Sequence, residues 1–166
     1  MEANNPCTPA ELEQVMKLYG TEVYRLAYSR LRSTADAEDV YQDVFLRYFR
    51  KRPAFDSEEH RKAWLLRVTI NRAKSHVTSA WVRRTVSMEV PVKFEEPEQR
   101  DLDEALRQLK PDERMLIHLF YYEELSGREI AQLLNRKEST VRTQLTRARQ
   151  RLGKIMKGED NHEEAL

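Results

Sequence analysis

The sequence has a single cysteine, four glycines and no apolar run near the length of a membrane span. Cys7 alone rules out a disulfide framework or a cysteine-based zinc site within the chain. The four histidines, His60, His76, His118 and His162, are scattered without metal-ligand spacing, so neither a metal nor another cofactor is expected. Scarce glycine among abundant helix formers points to an all-helical protein. With no signal-peptide pattern at the N-terminus, the expected location is cytoplasmic. Phosphate loop, nucleophile with matched base and metal set are all missing, which argues against an enzyme and against a small-molecule substrate.

Acid is scarce in two particular places. The formal net charge is only +1, a value that hides a strong segregation. His60 to Arg84 carries seven Lys/Arg and no Asp/Glu, and Gly127 to Lys157 carries nine against two. The balancing acids lie in Asp36 to Asp43, in Glu95 to Glu104 and after Gly158. Such separation implies two distinct anionic contacts, with acidic patches left for a basic protein partner or for self-masking.

The most informative stretch is LSGREIAQLLNRKESTVRTQLTRARQRL, Leu125 to Leu152. Ser126 and Glu129 form a capping box, and Ile130, Leu133 and Leu134 supply an apolar stripe. Ala131 leaves room for a crossing helix. Asn135 falls where the chain must turn, and asparagine tolerates the left-handed conformation. A second helix capped by Ser139 or Thr140 gathers Val141, Leu145, Ala148, Leu152 and Ile155 on one side. Opposite lie Ser139, Thr143, Thr146 and Gln150, flanked by Arg142 and Arg149 on one edge and by Arg147, Arg151 and Lys154 on the other. A polar strip between basic rails suits a major groove, with hydrogen-bonding groups for base edges and cations for the phosphate walls. The stretch therefore reads as a helix-turn-helix.

Along the rest of the chain, Thr8, Pro9 and Glu11 open a short helix to about Tyr19, and Val23, Leu26, Ala27 and Leu31 mark another. In STADAEDVYQDVFLRYFRK an aromatic and aliphatic stripe follows acids that favour the helix dipole. Ser57 caps a long helix with Leu66, Ile70, Ala73 and Val77 inward, and Trp64 and Val68 beside them. Its outer face is expected to carry Arg61, Lys62, Arg67, Asn71, Arg72, Lys74 and His76, near Phe55, which suits a nucleic-acid backbone and a splayed base. Around Pro91 and Pro97 periodicity fails. Leu102, Leu106 and Leu109 begin the second half. Pro111, Asp112 and Glu113 open a helix with Met115, Leu116, Leu119 and Phe120 inside. The expected organisation is two small helical domains, residues 1–82 and 102–157, joined by an extended acidic linker, 83–101, and followed by an acidic tail, 158–166.

With both halves in view, the chain resembles bacterial RNA polymerase sigma factors of the sigma-70 family, in the compact extracytoplasmic-function group, over nearly all its length. ADAEDVYQDVFLRYF is similar to the polymerase-contacting helix of domain 2, and AWLLRVTINRAKSHV to its minus-10 helix. ALRQLKPDERMLIHLFYYEELSGREIAQLLNRKESTVRTQLTRARQRL follows the pattern of domain 4. The resemblance implies that Asp36, Asp39, Gln42, Asp43 and Arg47 grip a coiled coil of the largest polymerase subunit. It implies that the Arg52 to His60 loop, with Phe55 and His60, takes up a flipped minus-10 base, and that Arg61, Lys62, Asn71, Arg72, Lys74, Ser75 and His76 belong to the surface for that element. It places Lys137, Glu138, Ser139, Thr140, Arg142, Thr143, Thr146, Arg147 and Arg149 at the minus-35 major groove.

The implied partners are core RNA polymerase, through that coiled coil and the flap of the second-largest subunit, promoter DNA, and an anti-sigma factor, often membrane-anchored. The sequence departs from the family pattern at Ser75, often Asp, at Lys110, often Pro, at Asn135, usually Gly, and at Arg136, usually apolar. The alternative reading is a stand-alone helix-turn-helix regulator, which usually dimerises on paired half-sites; no extra dimerisation helix is apparent.

Overall fold

The computed structural model describes residues 7–83 and 97–158, with side chains for 7–76 and 101–158. These residues form seven helices and no strand, in two compact units. Residues 84–96 of the expected linker, the tail from 159 onward and the side chain of Val77 lie outside the described residues.

The first unit is a three-helix assembly of α1 (Pro9–Leu31), α2 (Thr34–Lys51) and α3 (Glu58–Arg83). Thr8 caps α1, its hydroxyl accepting from the Glu11 N–H while the Glu11 carboxylate accepts from the Thr8 N–H, each at 3.2 Å. The two short helices expected before residue 31 are one helix of 23 residues. Gly20 does not break it, because the stripe of Val15, Val23, Leu26, Ala27 and Leu31 is continuous and all of it is buried. The position is also one of close approach. A Cβ at position 20 would stand 3.0 Å from the Tyr41 hydroxyl of α2.

Both α1 and α2 end on a left-handed arginine, Arg32 (φ 53°) and Arg52 (φ 45°), where no glycine or asparagine marked the spot in the sequence. Ser33 then caps α2, accepting from the Asp36 N–H. In α3 the inward side is wider than periodicity suggested. Leu65 and Thr69 join Leu66, Ile70 and Ala73 in the buried set, and the Thr69 hydroxyl is satisfied by the Leu65 carbonyl at 2.7 Å.

The second unit contains α4 (Pro97–Gln108), α5 (Pro111–Tyr121), α6 (Gly127–Leu134) and α7 (Glu138–Met156). The helix α4 starts at Pro97, inside the stretch expected to be extended. Proline breaks a helix interior, but at a first helical position its missing N–H costs nothing. Ala105, Leu109, Met115, Leu116, Ile117, Leu119, Ile130, Leu133, Val141, Leu145 and Ala148 are buried. Phe120, expected inside, is only half-buried, and Ile117 takes an inner place instead. Buried Arg114 donates to the carbonyls of Arg107 and Leu109, which satisfies acceptors left over at the end of α4.

Candidate nucleic-acid interface

The α6–turn–α7 segment has the geometry its caps prescribe. Ser126 and Glu129 complete the reciprocal box, each bond 3.1 Å. Asn135 is left-handed at φ 54°, ψ 49°, which brings the Arg136 N–H to the Ala131 carbonyl at 2.9 Å. That bond closes the end of α6 and sends the chain into α7. The start of α7 differs from the expectation of a Ser139 or Thr140 cap. The helix begins at Glu138 after Lys137, which makes no side-chain cap. Ser139 and Thr140 already lie in its first turn, exposed, and the Ser139 carbonyl accepts from the Thr143 hydroxyl at 3.0 Å.

With Val141, Leu145 and Ala148 buried, the opposite side of α7 is open. Ser139, Thr140, Arg142, Thr143, Thr146, Arg147, Arg149 and Gln150 are all exposed, as is Lys137 before them. The arginines of the two rails are held individually. Arg142 forms an exposed bond to Glu138, one turn back, at 2.6 Å. The Arg149 guanidinium lies 4.3 Å over the Phe120 ring and 5.4 Å over that of Tyr121. Arg151 leans inward to Glu113 at 3.6 Å. Arg149 and Arg151 are thus tethered to α5 by a ring stack and an ion pair that pattern reading could not see, since the partners are far away in sequence.

In the first unit, Phe55 stands in the loop before α3 and closes an aromatic group. Its ring is stacked 6.1 Å from Tyr48 and meets Trp64 edge-on at 6.1 Å and His60 at 5.3 Å, with the Arg61 guanidinium 5.5 Å over it. Ser57 caps α3 through the His60 N–H. Tyr19 on α1 donates to the Glu58 carboxylate at 2.6 Å. Burial, reinforced by that hydrogen bond and the Glu58 charge, pushes the Tyr19 phenol up to about 12.

The basic residues of α3 do not share one outer face. Arg67, Asn71 and Ser75 are exposed, the Ser75 hydroxyl donating to the Asn71 carbonyl at 3.0 Å. Lys62, Arg72 and His76 instead sit on the edge facing α1 and α2. Lys62 approaches Glu22 at 3.6 Å, Arg72 pairs with Asp43, and His76 contacts Asp36 at 3.0 Å. Half-buried Lys74 lies on the same helix.

On α2, Asp36, Asp39, Gln42, Asp43 and Arg47 fall within one side of the helix at the spacing of 3.6 residues per turn. Arg47 reaches the Asp43 carboxylate at 3.9 Å. Leu46, which pattern reading passed over, is 44% exposed among them. The ligating atoms of Asp36, Asp39 and His76 lie within 4.8 Å of one another, close enough to surround a divalent cation. His76 contacts Asp36 directly. Sequence spacing could not have suggested this trio, because the histidine comes from a different helix.

The sigma-70 region 2 family model matches residues 15–83, and the sigma-70 region 4 model matches residues 99–152. The chain is 33% identical over 156 residues to the ECF RNA polymerase sigma factor SigE of Mycolicibacterium smegmatis, covering 84% of this chain and 59% of that protein. It is 31% identical over 143 residues to the ECF RNA polymerase sigma-E factor of Escherichia coli, covering 74% of each. Among solved structures, the sigma factor RpoE in complex with the anti-sigma factor NepR, from Bartonella quintana, has the same fold. The TM-score is 0.73 over 89% of this chain and 97% of that one, at 24% identity. Carrying regions 2 and 4 in that order, with such relatives, the chain belongs to the sigma-70 family of RNA polymerase sigma factors, in its extracytoplasmic-function group.

Proposed function

We propose that the protein is a non-catalytic specificity subunit that binds core RNA polymerase and directs promoter-specific initiation. The observation that carries this reading is the pairing of a region 2 unit and a region 4 helix-turn-helix in one chain, the latter with an exposed polar and basic α7. In this reading residues 102–157 recognise minus-35 through Lys137, Glu138, Ser139, Thr140, Arg142, Thr143, Thr146, Arg147 and Arg149. Residues 1–82 recognise minus-10 through the Phe55 loop and the α3 surface of His60, Arg61, Lys62, Asn71, Arg72, Lys74, Ser75 and His76. Asp36, Asp39, Gln42, Asp43 and Arg47, with exposed Leu46, form the polymerase-facing side. Phosphate contacts supply affinity, base contacts supply choice, and capture of an unstacked base helps open the duplex.

The protein acts in the cytoplasm, makes and breaks no covalent bond and needs no cofactor. No described helix is long and apolar enough to cross a membrane. An anti-sigma factor is the natural inhibitory partner, and the Bartonella quintana sigma factor of the same fold is seen bound to one. A stand-alone helix-turn-helix regulator is not favoured, because region 2 would then have no task. Reconstitution with bacterial core polymerase and a pool of selected promoter DNA tests the proposal. A promoter-dependent transcript is expected, and none from any selected sequence would refute it.

A further inference from the structure

Arg136 occupies the turn immediately after left-handed Asn135. Its backbone N–H is bound to the Ala131 carbonyl at 2.9 Å, so its root is fixed. Its tip is fixed as well. Nη1 donates to Asp112 Oδ2 at 3.1 Å and Nη2 donates to Asp112 Oδ1 at 2.9 Å, a forked pair. Nη1 also donates to Gln144 Oε1 at 2.9 Å. Asp112 lies in the first turn of α5, and Gln144 lies in the second turn of α7. One half-buried side chain therefore joins the start of α5, the turn and the edge of α7 that also carries Arg147.

We propose that Arg136 is a positioning residue for promoter reading. Acting through Asp112 and Gln144, it sets the roll of α7 about its own axis and so decides whether Thr143 and Thr146 meet base edges. This rests on the reading that α7 enters the minus-35 major groove. A planar guanidinium held at two oxygens resists rotation in a way that a greasy contact does not. The lever is large. A roll of about 20° carries a side-chain tip about 6 Å from the axis through about 2 Å, enough to lose a hydrogen bond. Gln144 serves this framework, its carbonyl oxygen accepting from Arg136.

The test uses holoenzyme reconstituted with core polymerase and scored for the ratio of transcription from the preferred minus-35 element to that from single-base variants of it. Arg136→Met keeps bulk without charge, and Arg136→Lys keeps charge without the fork. Thermal unfolding of each variant fixes an assay temperature at which all are folded. Both variants are expected to lower the ratio by roughly tenfold, the worth of one misplaced base contact. A purely structural role would lower transcription from every element by the same factor and leave the ratio intact; that result, or a wild-type ratio for Arg136→Lys, overturns the proposal. Should wild-type holoenzyme ignore the minus-35 sequence altogether, the groove reading fails and the positioning role with it.

Discussion

Arg72 of α3 pairs with Asp43 of α2, joining a side chain expected at promoter DNA to one expected at the polymerase. His76 and Asp36 repeat the arrangement one turn along. The two surfaces of the first unit are therefore electrostatically continuous, and each proposed DNA contact on this edge has a carboxylate competing for it. Asp43 is shared further with Arg47.

That pair is about one third exposed on both sides, so its value to the fold is modest, about 0–1 kcal/mol as for other solvated ion pairs. Arg72→Met should lower unfolding free energy by less than about 1 kcal/mol. In the same preparation it should reduce minus-10-dependent open complex, scored by permanganate reactivity of the melted strand. A large stability loss with normal opening would reverse the assignment.

Arg147 and Arg149 should separate in their salt response. Each phosphate neutralised contributes about 0.9 to the slope of log K against log salt. Arg147, exposed on α7, should remove about one such unit when changed to Ala. Arg149 is stacked on Phe120 and Tyr121, and its Ala variant should remove clearly less. Equal slopes for the two variants, measured by anisotropy on a minus-35 duplex, would mean that the ring stack does not hold in the complex.

Gly20 sits at a close approach between two helices, and its substitution is predicted to cost stability despite the helix setting. Alanine at an ordinary helical position gains about 1 kcal/mol over glycine. Here its methyl meets the Tyr41 hydroxyl at 3.0 Å and ring carbon at 3.3 Å, and overpacking of that kind costs about 1–3 kcal/mol. Gly20→Ala should be net destabilising in the wild type and markedly less so beside Tyr41→Phe. Additive effects in a denaturant double-mutant cycle would show that the contact is not felt.

The Tyr19–Glu58 bond predicts a pH dependence at the alkaline end. The folded phenol is raised from 10 to about 12, so the folded state holds a proton that the unfolded state has already released. The stability this contributes is full below pH 10 and is lost as the pH climbs toward 12. Wild-type protein should therefore lose more stability across that interval than Tyr19→Phe, in thermal melts at matched ionic strength. Parallel losses would contradict the assignment.

Much of the fold was legible because helices announce themselves by stripe and cap. Thr8, Ser57 and Ser126 all accept the bonds expected of them, and Asn135 turns where a left-handed residue is needed. The misreadings share a cause. Pro97 argues by its propensity for an interruption, yet it simply opens a first turn, and no cap or stripe in the sequence shows that α1 runs on past Tyr19. At the interface, wheel geometry gives a direction but not a neighbour. It put Arg72 and His76 outside with Arg67 and Asn71, because nothing local to α3 reveals the acids of α2. Arg136 was noticed only as a departure from an apolar position, its partner Asp112 lying 24 residues upstream.

The ring group around Phe55 gives the molecule an optical handle. Trp64, one of two tryptophans, lies 5.8 Å from Tyr48 and 6.1 Å from Phe55. Its emission depends on how that small hydrocarbon nest is shut. Any nucleotide that displaced Phe55 would wet the indole and redden its fluorescence, so with Trp81→Phe removing the second emitter, base capture becomes visible in real time without a dye.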